Sequence, residues 1–103
     1  MDAPVKELER IEALQRQARE LLDAGRLDEA LAATEAALQL EAQNLRSLAL
    51  KADVLEHMGK VEQGHQLRTL IKHLKREAWQ REVEAEIRGH HDLMGEAIRH
   101  EQL

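Results

Sequence analysis

The 103-residue chain has no cysteine, no phenylalanine and no tyrosine, a single tryptophan (Trp79) and a single proline (Pro4). Without cysteine it forms no disulfide and offers no thiolate as nucleophile, redox group or metal ligand. It lacks any run approaching the ~20 apolar residues that a membrane-crossing helix needs. The first residues, Met1-Asp2-Ala3-Pro4-Val5-Lys6, lack the basic start and apolar stretch of a signal peptide. A cytoplasmic protein with no membrane partner is expected. An excess of basic residues is also missing: 15 Lys and Arg stand against 20 Asp and Glu, for a net charge of −5. The densest basic cluster, Arg68, Lys72, Lys75 and Arg76, is diluted by Glu77, Glu82, Glu84 and Glu86. A surface that neutralises a phosphate backbone needs a basic stripe, so no nucleic-acid partner is expected.

What is present points one way. Hydrophobic residues make up 43% of the chain and charged residues 34%, a globular and not a disordered balance. The apolar residues are mostly Leu and Ala, and with Glu, Gln, Arg and Lys they are the strongest helix formers. Strand formers are scarce and no segment alternates for long. The fold class is all-α, and 103 residues allow one helical domain, 1–103.

Two glycines organise the pattern. Gly25-Arg26-Leu27-Asp28 is echoed by Gly59-Lys60-Val61-Glu62, 34 residues on. Each glycine ends an amphipathic run, where a left-handed residue closes a helix. Each acid that follows suits the positive end of the next helix. At the same offset Ile11, Leu14, Ala18 and Leu21 fall on Leu45, Leu48, Ala52 and Leu55. Beyond the turns, Ala30, Ala33, Ala37 and Leu40 fall on Gly64, Leu67, Ile71 and Leu74. Each set lies on one helix face. The small residues Ala18, Ala52, Ala30 and Gly64 mark where helices approach closely. Between the units lies the turn-like Gln43-Asn44, with Ser47 a candidate cap for the helix after it.

A 34-residue helix–turn–helix unit with these small residues and this glycine resembles the tetratricopeptide repeat family over residues 11–78. The units are 11–44 and 45–78, with capping or dimerisation helices in 79–103. The chain departs from the family's aromatic positions. Leu14 and Leu48 stand where Trp is common, Leu21 and Leu55 where Tyr is common, and Thr34 and Arg68 where Phe is common. Ala42 and Arg76 replace the closing Pro. The resemblance implies antiparallel helical hairpins stacked as a short superhelix with a long C-terminal helical extension. It also implies a partner-binding groove on the first helices of the units, at Glu12, Gln15, Arg19, Leu22, Asp23, Arg46, Ala49, Asp53, Glu56 and His57. Family members that clamp acidic chaperone tails use Lys and Asn at such places, so no such clamp is expected here.

The ends depart from the repeat. The first helix is expected to start near Asp2, with Pro4 in its first turn, and Val5 and Leu8 are expected to pack as an N-terminal extension. A third unit from Trp79 fails, because Glu82, Glu86, Gly89 and Leu93 occupy its core and turn positions. The pattern predicts an uninterrupted helix from about Val61 to Arg88, a break at Gly89, and a short last helix from His90 to His100 capped by His91 or Asp92. Two units are fewer than such arrays usually need. The drifting stripe Trp79, Val83, Ile87, followed by Leu93, Met94 and Ile98, is therefore expected to cap the array or to form a homodimer interface.

Six histidines raise a metal hypothesis. Glu86 and His90, and Glu96 and His100, each stand four apart, but no zinc-type spacing is present, and no metal or cofactor is expected. His57, His65 and His73 read as surface or groove residues. There is no phosphate loop or nucleophile elbow, and the glutamates read as solvated faces, so the chain is not expected to be an enzyme. The expected function is a protein–protein interaction module, an adaptor, assembly factor or small chaperone taking a peptide or helix of another protein. The alternative is a self-assembling dimerisation unit, and the remote one a His/Glu metal-binding helical protein.

Overall fold

A computed structural model describes the backbone of residues 2–102 and the side chains of residues 5–88. Four helices occupy the described residues: α1 (Asp2–Asp23), α2 (Leu27–Leu40), α3 (Leu45–His57) and α4 (Val61–Gln102). The chain divides into two units, Met1–Lys72 and His73–Leu103.

Both hairpin turns in the first unit have the same chemistry. Gly25 and Gly59 have φ of 76° and 81°, the left-handed region where a side chain is strained. Gly25 N–H donates to the Leu22 carbonyl and Arg26 N–H to the Leu21 carbonyl. Gly59 N–H donates to Glu56 and Lys60 N–H to Leu55 in the same way. This is the paired closure of a Schellman turn, repeated at the 34-residue offset. Each turn delivers its acid, Asp28 or Glu62, to the first turn of the next helix, where the helix dipole favours it.

The helices pack in layers. Ala18, Ala33 and Leu50 form one layer, and Leu22, Ala30 and Val54 the next. Moving up α1 and α3 between layers means moving down α2. Thus α1 and α3 run parallel while α2 runs antiparallel to both. Ala18, Ala30, Ala52 and Val54 are fully enclosed; the small residues at three of these positions let the helix axes come close. Between α3 and α4 the close approach falls at Gly64. A Cβ there would stand 2.9 Å from Glu56 Cγ and 3.2 Å from the Ala52 carbonyl oxygen.

Three expectations need correction. Val5 and Leu8 do not pack as an extension, since both are more than half exposed. Asn44, not Ser47, caps α3: its Oδ1 accepts from Ser47 N–H at 2.9 Å. The Asn carbonyl oxygen, two bonds beyond Cβ, suits this role as well as a Ser hydroxyl does. Finally, α4 does not break at Gly89 but continues to Gln102 as one helix of 42 residues. A lone glycine costs a helix only about 1 kcal/mol. At Gly25 the chain beyond the turn is rewarded for folding back, because Leu27 and Leu31 pack on the second core layer.

In the second unit, Trp79 and Ile87 are more than half exposed and Val83 is half-buried. Among the described residues of this unit, His73 Nε2 meets Glu77 Oε1 at 2.9 Å one turn along the helix. Leu93, Met94 and Ile98, the other expected interface positions, lie outside the residues whose side chains are described. No helix among the described residues is long and apolar enough to cross a membrane.

Candidate partner-binding groove

Parallel packing of α1 and α3 leaves a hollow between them of about 570 Å³. Its α1 wall is Glu12, Gln15, Arg16, Arg19 and Glu20, and its α3 wall is Arg46, Ala49, Leu50 and Asp53. Eight of these nine residues fall into four pairs 34 residues apart: Glu12 and Arg46, Gln15 and Ala49, Arg16 and Leu50, Arg19 and Asp53. The groove is thus built from one face of the repeating unit, used twice.

Gln15 holds its floor. The side chain is buried, and its Nε2 donates to Asn44 Oδ1 at 2.9 Å and to Ser47 Oγ at 3.0 Å. Asn44 Oδ1 also accepts from Ser47 N–H. One amide from α1 is therefore tied to the N-terminal turn of α3, and the fully enclosed Ser47 hydroxyl is satisfied. No buried side-chain polar atom among the described residues lacks a partner.

An ion network crosses one end of the hollow. Arg19 Nη2 lies 3.7 Å from Asp53 Oδ2, and Asp53 Oδ1 accepts from Arg68 Nη2 at 2.6 Å. Arg68 Nε in turn donates to Glu56 Oε1 at 2.6 Å. This hydrogen-bonded pair holds the Glu56 carboxyl below the ordinary glutamate range and raises the Arg68 guanidinium above its own. The side chains are 30–54% exposed, so solvent screens each link and its contribution to stability is small. Their main effect is positional, since Asp53 is held from both sides. Among the described residues Arg16 and Arg46 have no ion-pair partner within 4.0 Å. Two free guanidiniums therefore stand on opposite walls of the hollow.

Of the ten residues expected in a groove, Glu12, Gln15, Arg19, Arg46, Ala49 and Asp53 line the hollow. Leu22 does not: it is buried in the layer with Ala30 and Val54, because the apolar arc of α1 turns it toward α2. Asp23 is exposed outside the hollow, and Glu56 is engaged by Arg68. His57 is turned back on its own helix, its Nδ1–H donating to the Asp53 carbonyl at 2.8 Å. Arg16, Glu20 and Leu50 were not anticipated. The offset alone marks two of them, since Arg16 and Leu50 are a repeat pair flanking two pairs already assigned. Thr34 and Arg68, 34 residues apart, behave differently. Thr34 is buried and its hydroxyl donates to the Leu31 carbonyl at 2.7 Å, whereas Arg68 reaches the acids of α3. No group of three or more His, Asp or Glu among the described residues converges as metal ligands would.

Comparison of the chain with protein-family models, with curated proteins and with solved structures finds no match in any of the three.

Proposed function

We propose that the chain is a protein–protein interaction module of tetratricopeptide type, with a peptide or helix of another protein lying in the hollow between α1 and α3. The observation that carries this reading is a concave site assembled from equivalent positions of two repeats. It places Arg16 and Arg46, which have no ion-pair partner among the described residues, on facing walls. A floor held rigid by Gln15 and a side held by the Arg19–Asp53–Arg68 network support it, because a preformed site loses less entropy on binding. The acids Glu12, Glu20 and Asp53 beside the arginines favour a segment carrying both signs of charge over a purely acidic tail. The role is that of an adaptor, assembly factor or small chaperone, acting without catalysis, metal or cofactor, and the setting is the cytoplasm.

The test is affinity capture with mass spectrometry, comparing the wild-type chain with an Arg16→Glu/Arg46→Glu variant. Both side chains are exposed, so the variant keeps its helicity and melting temperature. A partner retained by wild type and lost by the folded variant supports the groove. Equal capture by both rejects it. The second reading, a self-assembling unit, rests on the exposed Trp79 and Ile87 of the other unit.

A further inference from the structure

The helix α4 carries a stripe outside the groove unit. Trp79, Val83 and Ile87 are spaced by four, and two of them are more than half exposed. Eleven residues on, the sequence places His90, Met94 and Ile98 at the same spacing, and the helix continues through all of them. An 11-residue period gives about 3.67 residues per turn, so these six register positions stay on one face. Their steps of 4, 4, 3, 4 and 4 read identically in both directions about a midpoint between Arg88 and Gly89. A face with that spacing falls level with its own reversed copy, so that residue i meets j and j meets i, as in a two-fold antiparallel interface.

The charges flanking the stripe choose the direction. Glu82 and Glu86 fall on one edge and Glu84 on the other. A parallel copy would bring the carboxylates of both chains to the same level on both edges, which is repulsive. In a copy reversed about the midpoint, same-edge positions fall level within about two residues. Glu82 and Glu86 then fall beside Ala97 and Leu93, and Glu84 beside His91. No carboxylate meets its own kind along either edge, and this relief occurs twice. We infer that the chain associates with a second copy of itself, antiparallel, through the Trp79–Val83–Ile87 stretch of each copy against the His90–Met94–Ile98 stretch of the other. This inference uses a different unit from the groove and stands or falls apart from it.

Light scattering on the full chain over 1–100 µM (about the range for a moderate dimer,) should give the mass of two 11.8 kDa chains. Trp79→Glu, at an exposed site, should weaken the dimer at least about tenfold while leaving the helicity intact. Direction is read with cysteines, since the chain has none of its own. A Val83→Cys chain mixed with a Met94→Cys chain should form a disulfide under mild oxidation. Neither variant should cross-link to itself, because in the reversed pair like positions are about 17 Å apart along the axis, beyond the ~7 Å limit for a disulfide. A monomer at every concentration overturns the inference, as does self-cross-linking of either single variant.

Discussion

Gln15 and Ser47 are both buried, and the amide of the first donates to the hydroxyl of the second at 3.0 Å across the α1–α3 contact. The same amide nitrogen donates to the cap residue Asn44. One side chain thus connects the register of two helices to the capping of one of them. Gln15→Leu, close in volume, leaves the enclosed Ser47 hydroxyl without its donor. It should lower stability by about 1–3 kcal/mol, measured by urea denaturation. Ser47→Ala added to Gln15→Leu should cost less than the two single changes summed, since the orphaned group is gone.

Leu22 separates core from groove. It is 7% exposed and packs with Ala30 and Val54, so Leu22→Ala should destabilise by about 2–5 kcal/mol. Leu8→Ala, at a site 52% exposed, should shift stability by under about 0.5 kcal/mol. Thermal melts of the two variants side by side give the comparison. A near-neutral Leu22→Ala that weakened partner capture would restore Leu22 to the groove.

The glycines carry different prohibitions. Gly59→Ala places a Cβ in open space but at φ 81°, which should cost about 1–2 kcal/mol from the left-handed backbone alone. Gly64 has an ordinary helical backbone, but its Cβ would meet Glu56 Cγ and the Ala52 carbonyl. Helix propensity favours Gly64→Ala by about 1 kcal/mol and overpacking opposes it by about 1–3 kcal/mol. The net expectation is a modest loss of stability, with Glu56 displaced from Arg68. A stabilised Gly64→Ala protein would mean that α3 and α4 separate freely there.

The Glu56–Arg68 pair sets a pH signature. Because Arg68 lowers the folded-state pKa of Glu56, its contribution is fully present above the unfolded glutamate value and is lost as pH falls through the lowered folded value. Carboxyl-detected NMR titration should find Glu56 below the ordinary glutamate value, and Arg68→Ala should return it toward that value. The shift should shrink as salt is raised, as the pair is partly exposed.

The first three helices, the start of the fourth, the two hairpins and the closing turns are legible in the residues alone. These are local: helix propensity acts within a few residues, and a left-handed glycine ends a helix wherever the next helix is rewarded for folding back. The 34-residue offset also carried the groove, since Glu12 with Arg46, Arg19 with Asp53, and the unanticipated Arg16 with Leu50 are equivalent positions. Which way each side chain at the edge of the apolar arc turns is set by the packing of one helix against another. Leu22 went to the core, Gln15 to a buried link with Asn44 and Ser47, and Arg68 to the acids of α3. These outcomes depend on the rotation and separation of helices whose residues lie 12–32 apart in sequence. No periodicity within one helix encodes those quantities. The same holds at Gly89, where α4 runs on: glycine alone does not stop a helix that gains nothing by turning.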